Sequence, residues 1–339
     1  MKRFLTLSLV ILLSSMAVSG CSAAQTGVPA DATPTEALEE PAPEPTAKPT
    51  AEPVAEPSTT PGIEITDTKN NTTSTVYMTA DISPEGLMAV YEALGREAAG
   101  NVAVKIHMGE PGGHNFLSPE LVKDFVLAVN GTFVDSNTAY GGRRASTAMH
   151  MQAAEDHGFT AVAPVDILDA DGEIGLPIEN GRHLLEDVVG SHFENYDFFV
   201  ILSHFKGHEM GGFGGAIKNM SIGIASASGK CLIHTAGKSA ASMWGGVQDH
   251  FLESMAEAAK AIADYQGENI LYISVMNNLS IDCDCNSRPA QPSMADIGIL
   301  ASLDPVALDQ ACVDLVYAAP DGRDLIRRME AKNGIHTLD

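Results

Sequence analysis

The chain has 339 residues and sets 20 Lys and Arg against 44 Asp and Glu, a formal net charge of −24. Phosphate backbones are held by clustered Lys and Arg, which here would have to overcome the protein's own negative field, so no nucleic-acid partner is expected. Hydrophobic residues make up 45% and charged residues 19%, which excludes a chain disordered throughout. The first element is a leader. Lys2 and Arg3 supply a positive start, and the run from Phe4 to Val18 is almost wholly apolar but too short to span a bilayer. The run closes on Val18-Ser19-Gly20-Cys21, a bacterial lipobox-like ending. Residues 1–20 are therefore expected to be a lipoprotein signal peptide, with Cys21 lipidated and the mature chain held on the outer side of the cell membrane. Acyl chains add roughly 0.8 kcal/mol of membrane affinity per buried methylene, so no transmembrane helix is needed.

Residues 21–73 read as a disordered tether. Nine of the 18 prolines lie between Pro29 and Pro61, in a stretch of Glu, Ala and Thr with hardly an aromatic. Such a composition cannot bury enough apolar surface to offset the entropy of ordering. From Ser22 to Pro61 seven acids face only Lys48, so part of the negative charge belongs to the tether.

Residues 74–339 hold enough sequence for one elaborated α/β domain. Apolar, β-rich runs recur at Val76 to Thr79, Val102 to Ile106, Phe133 to Val134, Phe198 to Leu202, Ile270 to Val275 and Ile297 to Leu300. Helical patterns fall between them at Pro84 to Ala98, Pro119 to Val129, Ala145 to His157, Gln248 to Tyr265 and Pro305 to Tyr317. Ser83-Pro84, Ser118-Pro119 and Asp304-Pro305 each place a capping oxygen before a proline suited to the first helical position. Alternation of this kind predicts a mainly parallel sheet with helices on both faces and a site beyond the carboxyl ends of the strands.

Three clusters follow predicted strands. In the first, Lys105 and His107 share one strand face before a Gly-Glu-Pro-Gly-Gly turn, and Asp135, Asn137, Tyr140 and Arg143 follow the next strand. In the second, residues 202–219 gather His204, Lys206, His208, Gly214, Gly215, Lys218 and Asn219 behind an apolar strand. Two uses compete there: His204 and His208 as metal ligands, or Lys206, Lys218 and the glycine amides as a cradle for phosphate or carboxylate. The third is Asp282-Cys283-Asp284-Cys285. On extended backbone Cys283 and Cys285 project to one face and can offer two thiolates to one metal, with the carboxylates nearby. Outside the cytoplasm the competing use of Cys231, Cys283, Cys285 and Cys312 is disulfide pairing, and the sequence leaves that choice open.

These strings together resemble the family catalogued as domain of unknown function 362. The resemblance rests on Lys105-Ile106-His107-Met108-Gly109-Glu110, on Asp135 through Arg143, on Ser203 to Glu209, on Gly214 to Asn219, on Gly229-Lys230, on Asp282 to Cys285 and on Asp296 to Asp309. It implies an α/β fold, and similar proteins are often labelled iron-sulfur centre proteins. Many carry an inserted pair of ferredoxin-type cysteine runs after the Gly-Lys string. Here Gly229 to His250 contains only Cys231, whereas such a cluster needs about four thiolates, so ferredoxin-type iron-sulfur clusters are not expected. Two functional expectations result. One is a metalloprotein, redox-linked or Lewis-acidic, in which His204, His208, Cys283 and Cys285 hold a transition metal while Lys105, Lys206, Lys218 and Arg143 orient a small anion. The other is a tethered protein that captures a small anionic metabolite without chemistry.

Overall fold

The computed structural model describes residues 74–339. The expected leader, Cys21 and tether lie outside the described residues. From the start, β1 (Val76–Thr79), α1 (Pro84–Ala93), β2 (Val102–Lys105), α2 (Pro119–Ala128), β3 (Gly131–Asp135), α3 (Thr147–Asp156) and β4 (Val165–Ile167) alternate. A side hairpin follows, β5 (Glu173–Pro177) and β6 (Glu186–Gly190), and then β7 (Phe198–His204) and a second, shorter hairpin, β8 (Lys206–His208) and β9 (Gly212–Gly214). The chain continues through α4 (Ala216–Ile224), α5 (Ala227–Thr235), α6 (Gln248–Gln266), β10 (Ile270–Met276), β11 (Gly298–Ser302), α7 (Pro305–Ala318) and α8 (Arg323–Ala331).

Seven strands form the main sheet in the order β1-β11-β10-β7-β2-β3-β4. All pairs from β10 to β4 are parallel, and β11 alone runs against both its neighbours. No helix intervenes between β10 and β11, so the chain returns by a loop, and a loop return gives an antiparallel pair. That loop carries Cys283 and Cys285. Both faces of the sheet are covered. Val104, Phe133, Val200 and Ile273 pack against Leu87 of α1, Phe125 of α2 and Ala154 of α3. Ala103, Val134, Ile201 and Tyr272 meet Met220 of α4, Ile262 of α6 and Cys312 of α7 on the other face. Burial on both sides explains why the central strands read as unbroken apolar runs.

The three expected caps are present. Ser83 accepts from the Gly86 amide at 3.0 Å, Ser118 from Leu121 at 3.3 Å and Asp304 from Val306 at 2.9 Å. The first helix is shorter than its pattern, because Gly95 turns left-handed at φ +63° and ends it. Three helices, α4, α5 and α8, lie where no helical pattern was expected. Each of α4 and α5 carries one internal glycine, Gly223 and Gly229, which lowers helix propensity, although Ser226 caps α5 through the Gly229 amide at 3.1 Å.

The chain leaves β2 toward β3 and β4 on one side and comes back to the other side of β2 as β7. Crossovers therefore diverge between β2 and β7, and such a reversal opens a crevice at the strand ends. The β2–β7 ladder stops at Lys105 opposite Ile201. Beyond it, Asn219 of α4 donates its amide to the Lys105 carbonyl at 3.2 Å and the Leu202 carbonyl at 3.0 Å. One side chain thus satisfies strand carbonyls that separation of the strands would leave bare.

The start of α4 has no cap of its own. Asp309 of α7 accepts instead from the amides of Ala216 at 2.7 Å and Ile217 at 2.9 Å. A Cβ on Gly215 would lie 2.2 Å from the Asp309 Oδ1, so only glycine admits this carboxylate. Gly215→Ala should therefore destabilise the domain by about 1–3 kcal/mol in urea denaturation. Burial pushes the Asp309 carboxyl up to about 7 against the pull of the two amides. The native carboxyl then holds its proton more tightly than the unfolded chain does. Its contribution to stability is complete below about pH 4 and is lost as pH rises through about 7. Measured against Asp309→Asn, the wild type should lose stability between about pH 4 and about pH 8. A difference between the two proteins that does not change with pH would overturn this assignment.

Candidate metal and anion site

The ends of β2 and β3, the β8–β9 hairpin, α4, α5 and the β10–β11 loop enclose a cavity of about 600 Å³. Lys105, His107, Asp135, Tyr140, Lys206, His208, Gly214, Gly215, Lys218, Asn219, Cys283 and Cys285 all line it. Strands that are far apart in sequence thus deliver their terminal polar residues to one place.

One wall is organised by Asp135, which is 3% exposed. Its Oδ1 lies 3.1 Å from Lys105 Nζ, and its Oδ2 lies 3.5 Å from Arg144 Nη1 and 3.4 Å from His150 Nε2. Burial lowers the His150 ring itself, so it approaches Asp135 chiefly as a neutral imidazole. Burial by itself would raise the Asp135 carboxyl. Lys105 and then His150 overcome that and hold it well below the usual carboxylate range. Lys105 also donates to Asn219 Oδ1 at 2.9 Å. It reaches there because residue 223 is glycine, where a Cβ would stand 2.5 Å from the ammonium. Arg144 extends the network by donating to Glu110 Oε2 at 2.8 Å and to the Tyr140 hydroxyl at 3.0 Å. Its Nη2 also faces His107 Nε2 at 3.1 Å, while His107 Nδ1 accepts from the Gly109 amide at 3.0 Å. Burial and then Arg144 push His107 down to about 3, so the ring is neutral.

The opposite wall holds the thiols. The ligating atoms of His208, Cys283 and Cys285 lie within 4.8 Å of one another, a group that could hold a metal ion. His208 Nδ1 accepts from the amides of Met210 at 3.1 Å and Gly211 at 2.8 Å, which leaves Nε2 as the nitrogen without a backbone partner. The Cys285 backbone N–H points at Cys283 Sγ at 3.4 Å. Hydrogen bonding from Cys285 holds the Cys283 thiol well below its ordinary range, with His208 and Lys218 adding to the effect and burial opposing it. Cys285 is pushed well above. Of the two, Cys283 is the more readily ionised, and a thiolate there can serve a soft cation or act as a nucleophile. Cys231 and Cys312 are buried in α5 and α7, and all four described cysteines are free.

Between the walls stands Asp284. It accepts from His204 Nδ1 at 2.9 Å and lies 3.0 Å from Lys206 Nζ. Burial raises this carboxyl, but His204 and Lys206 outweigh it and hold it low.

Three of the sequence-based assignments land elsewhere. His204, expected beside His208 as a ligand, turns Nδ1 to Asp284 and donates Nε2 to the Asn277 carbonyl at 2.7 Å, so neither nitrogen faces the thiols. Arg143 is exposed, and the guanidinium in the cavity is that of Arg144. Asn137 is buried beside the cavity, where it donates to Thr147 Oγ1 at 3.2 Å. Glu110, Arg144 and Lys230 line the cavity without having been singled out for it. The Arg143-Arg144 doublet and the Gly229-Lys230 pair were the available hints, but only the turn geometry selects which side chain points inward.

A model of the family described as domain of unknown function DUF362 matches residues 102–314. The chain belongs to the DUF362 family. No curated protein resembles it closely enough to match. Among solved structures, the lactate racemase apoprotein from Thermoanaerobacterium thermosaccharolyticum is similar at a TM-score of 0.41 and 14% identity, over 70% of this chain and 56% of that one. A protein from Thermotoga maritima is similar at a TM-score of 0.41 and 15% identity, over 68% of this chain and 57% of that one. The DUF362 chain thus spans little more than half the length of either.

Within this DUF362 domain Asp135 compensates two buried cations at once. Asp135→Asn would strand Lys105, while Arg144 would keep Glu110, and should destabilise the domain by about 3–5 kcal/mol in chemical denaturation. A loss below about 1 kcal/mol would show that water already reaches this wall.

Proposed function

We propose that this DUF362 domain is a lipid-anchored, extracytoplasmic metalloprotein that binds a small anion next to a thiolate-ligated transition metal. The observation that carries the reading is the convergence of His208, Cys283 and Cys285 on the wall of a cavity lined by Lys105, Arg144, Lys206, Lys218 and Lys230. Two thiolates and an imidazole are a soft donor set suited to zinc or a similar ion, and three protein ligands leave a fourth position for a ligand oxygen. A metal there would act as a Lewis acid or an electron relay. Of the cations, Lys105 and Arg144 are paired with Asp135 and Lys206 with Asp284. Lys218 and Lys230 have no carboxylate within salt-bridge distance among the described residues, and these two are the cations open to a ligand anion, with Lys230 also donating to the Ala225 carbonyl. Anchoring is supported by the apolar run that ends in Cys21.

Elemental analysis of protein purified without an affinity tag tests the metal. We expect on the order of one equivalent of a transition metal, lost in Cys283→Ser and retained in His204→Ala. Less than about a tenth of an equivalent in the wild type would sink the metal reading. If anions still raised the melting temperature of such metal-free protein, the domain would be a tethered anion-binding protein instead.

A further inference from the structure

We propose that the cavity takes an organic anion with an apolar body, its charged group held by Lys218 and Lys230 and its body lying against Met210, Ile222, Met243 and Trp244. The ligand class is amphiphilic carboxylates or phosphate monoesters rather than bare inorganic anions. This rests on reading the cavity as an anion site and narrows what that site accepts.

Size is the first support. At about 600 Å³ the cavity matches pockets that hold organic molecules, about 300–1,000 Å³, whereas a water occupies only about 30 Å³ and a tetrahedral anion displaces few of them. The distribution of lining residues is the second. The charged and hydrogen-bonding groups come from the ends of β2 and β3, the β8–β9 hairpin, α4, α5 and the Cys loop, and alongside them Met210, Ile222, Met243 and Trp244 supply large apolar side chains to the same cavity. Met210 and Ile222 are backed by a packed apolar cluster that includes Leu184, Ile233 and Phe251, so that wall is firm. Methionine side chains adapt to irregular apolar shapes.

Trp244 is the third. It lines the cavity, yet 68% of it is exposed, while its neighbour Met243 is only 7% exposed. An indole left open at the mouth of a cationic cavity offers a large flat surface for the apolar part of a ligand. It is also the sole tryptophan in the chain, so its emission reports on the mouth of the cavity alone.

Titration of the full-length protein with two matched pairs, phosphate against phenyl phosphate and acetate against phenylacetate, tests the proposal by calorimetry and tryptophan emission. Within each pair the aryl member should bind about tenfold or more tighter, because the ring leaves water. Only the aryl members should shift the Trp244 emission. Trp244→Ala should abolish most of the aryl advantage while leaving inorganic phosphate binding unchanged. The double variant Lys218→Ala with Lys230→Met should weaken both members of a pair by about tenfold or more. Equal affinities within both pairs, or unchanged emission on saturation with the aryl anions, would overturn the apolar-body proposal and leave the anion site standing. No binding by any of the four would overturn the anion site itself.

Discussion

A buried ammonium at the point where the sheet divides governs the rest of this structure. Lys105 ends β2 where its ladder with β7 ends, and it is 1% exposed. A charge in that position is tolerated only if it is compensated, and Asp135 at the end of the neighbouring β3 supplies the opposite charge. Asn219 completes the arrangement by accepting from the ammonium while donating to the freed strand carbonyls. Three strand ends and the start of α4 are thereby fixed relative to one another by polar contacts rather than by apolar packing.

This constraint organises the cavity. With Lys105, Arg144 and Lys206 neutralised by buried carboxylates, the positive charge open to a ligand is small and local, even though the chain as a whole is strongly acidic. The negative surface and the positive cavity are compatible because buried pairs act over a few ångströms, whereas exposed charges are screened beyond about 10 Å at ordinary salt. The thiols share the same logic. Ionisation of Cys283 is favoured by hydrogen bonding and nearby cations, which are the conditions under which sulfur binds a metal or reacts.

Much of the fold was legible in the residues. The strands that both faces bury announced themselves as apolar runs, and Ser83, Ser118 and Asp304 marked helix starts that the structure contains. The weaker elements were not legible. Glycines lie in and beside α4, because the helix must let Lys105 pass at Gly223 and Asp309 approach at Gly215 just before its first residue. Its buried positions still recur at helical spacing, but the flanking and internal glycines read as a loop. The hairpins lacked a readable strand pattern for different reasons: several positions of β5 and β6 face solvent, and β8 and β9, though buried, are three residues each.

The site divides in the same way. The sequence by itself determined the family and the kinds of chemistry present: lysines, histidines, paired thiols and carboxylates that each follow a strand. It did so because side-chain chemistry and local backbone preference are properties of short segments. Only the tertiary structure decided which partners meet. It turned Arg144 rather than Arg143 inward, gave His204 to Asp284, and left His208 with Cys283 and Cys285. Those choices depend on where β7, the β8–β9 hairpin and the β10–β11 loop come together, and contacts between segments some 80 residues apart are fixed by packing and charge compensation, not by any local pattern.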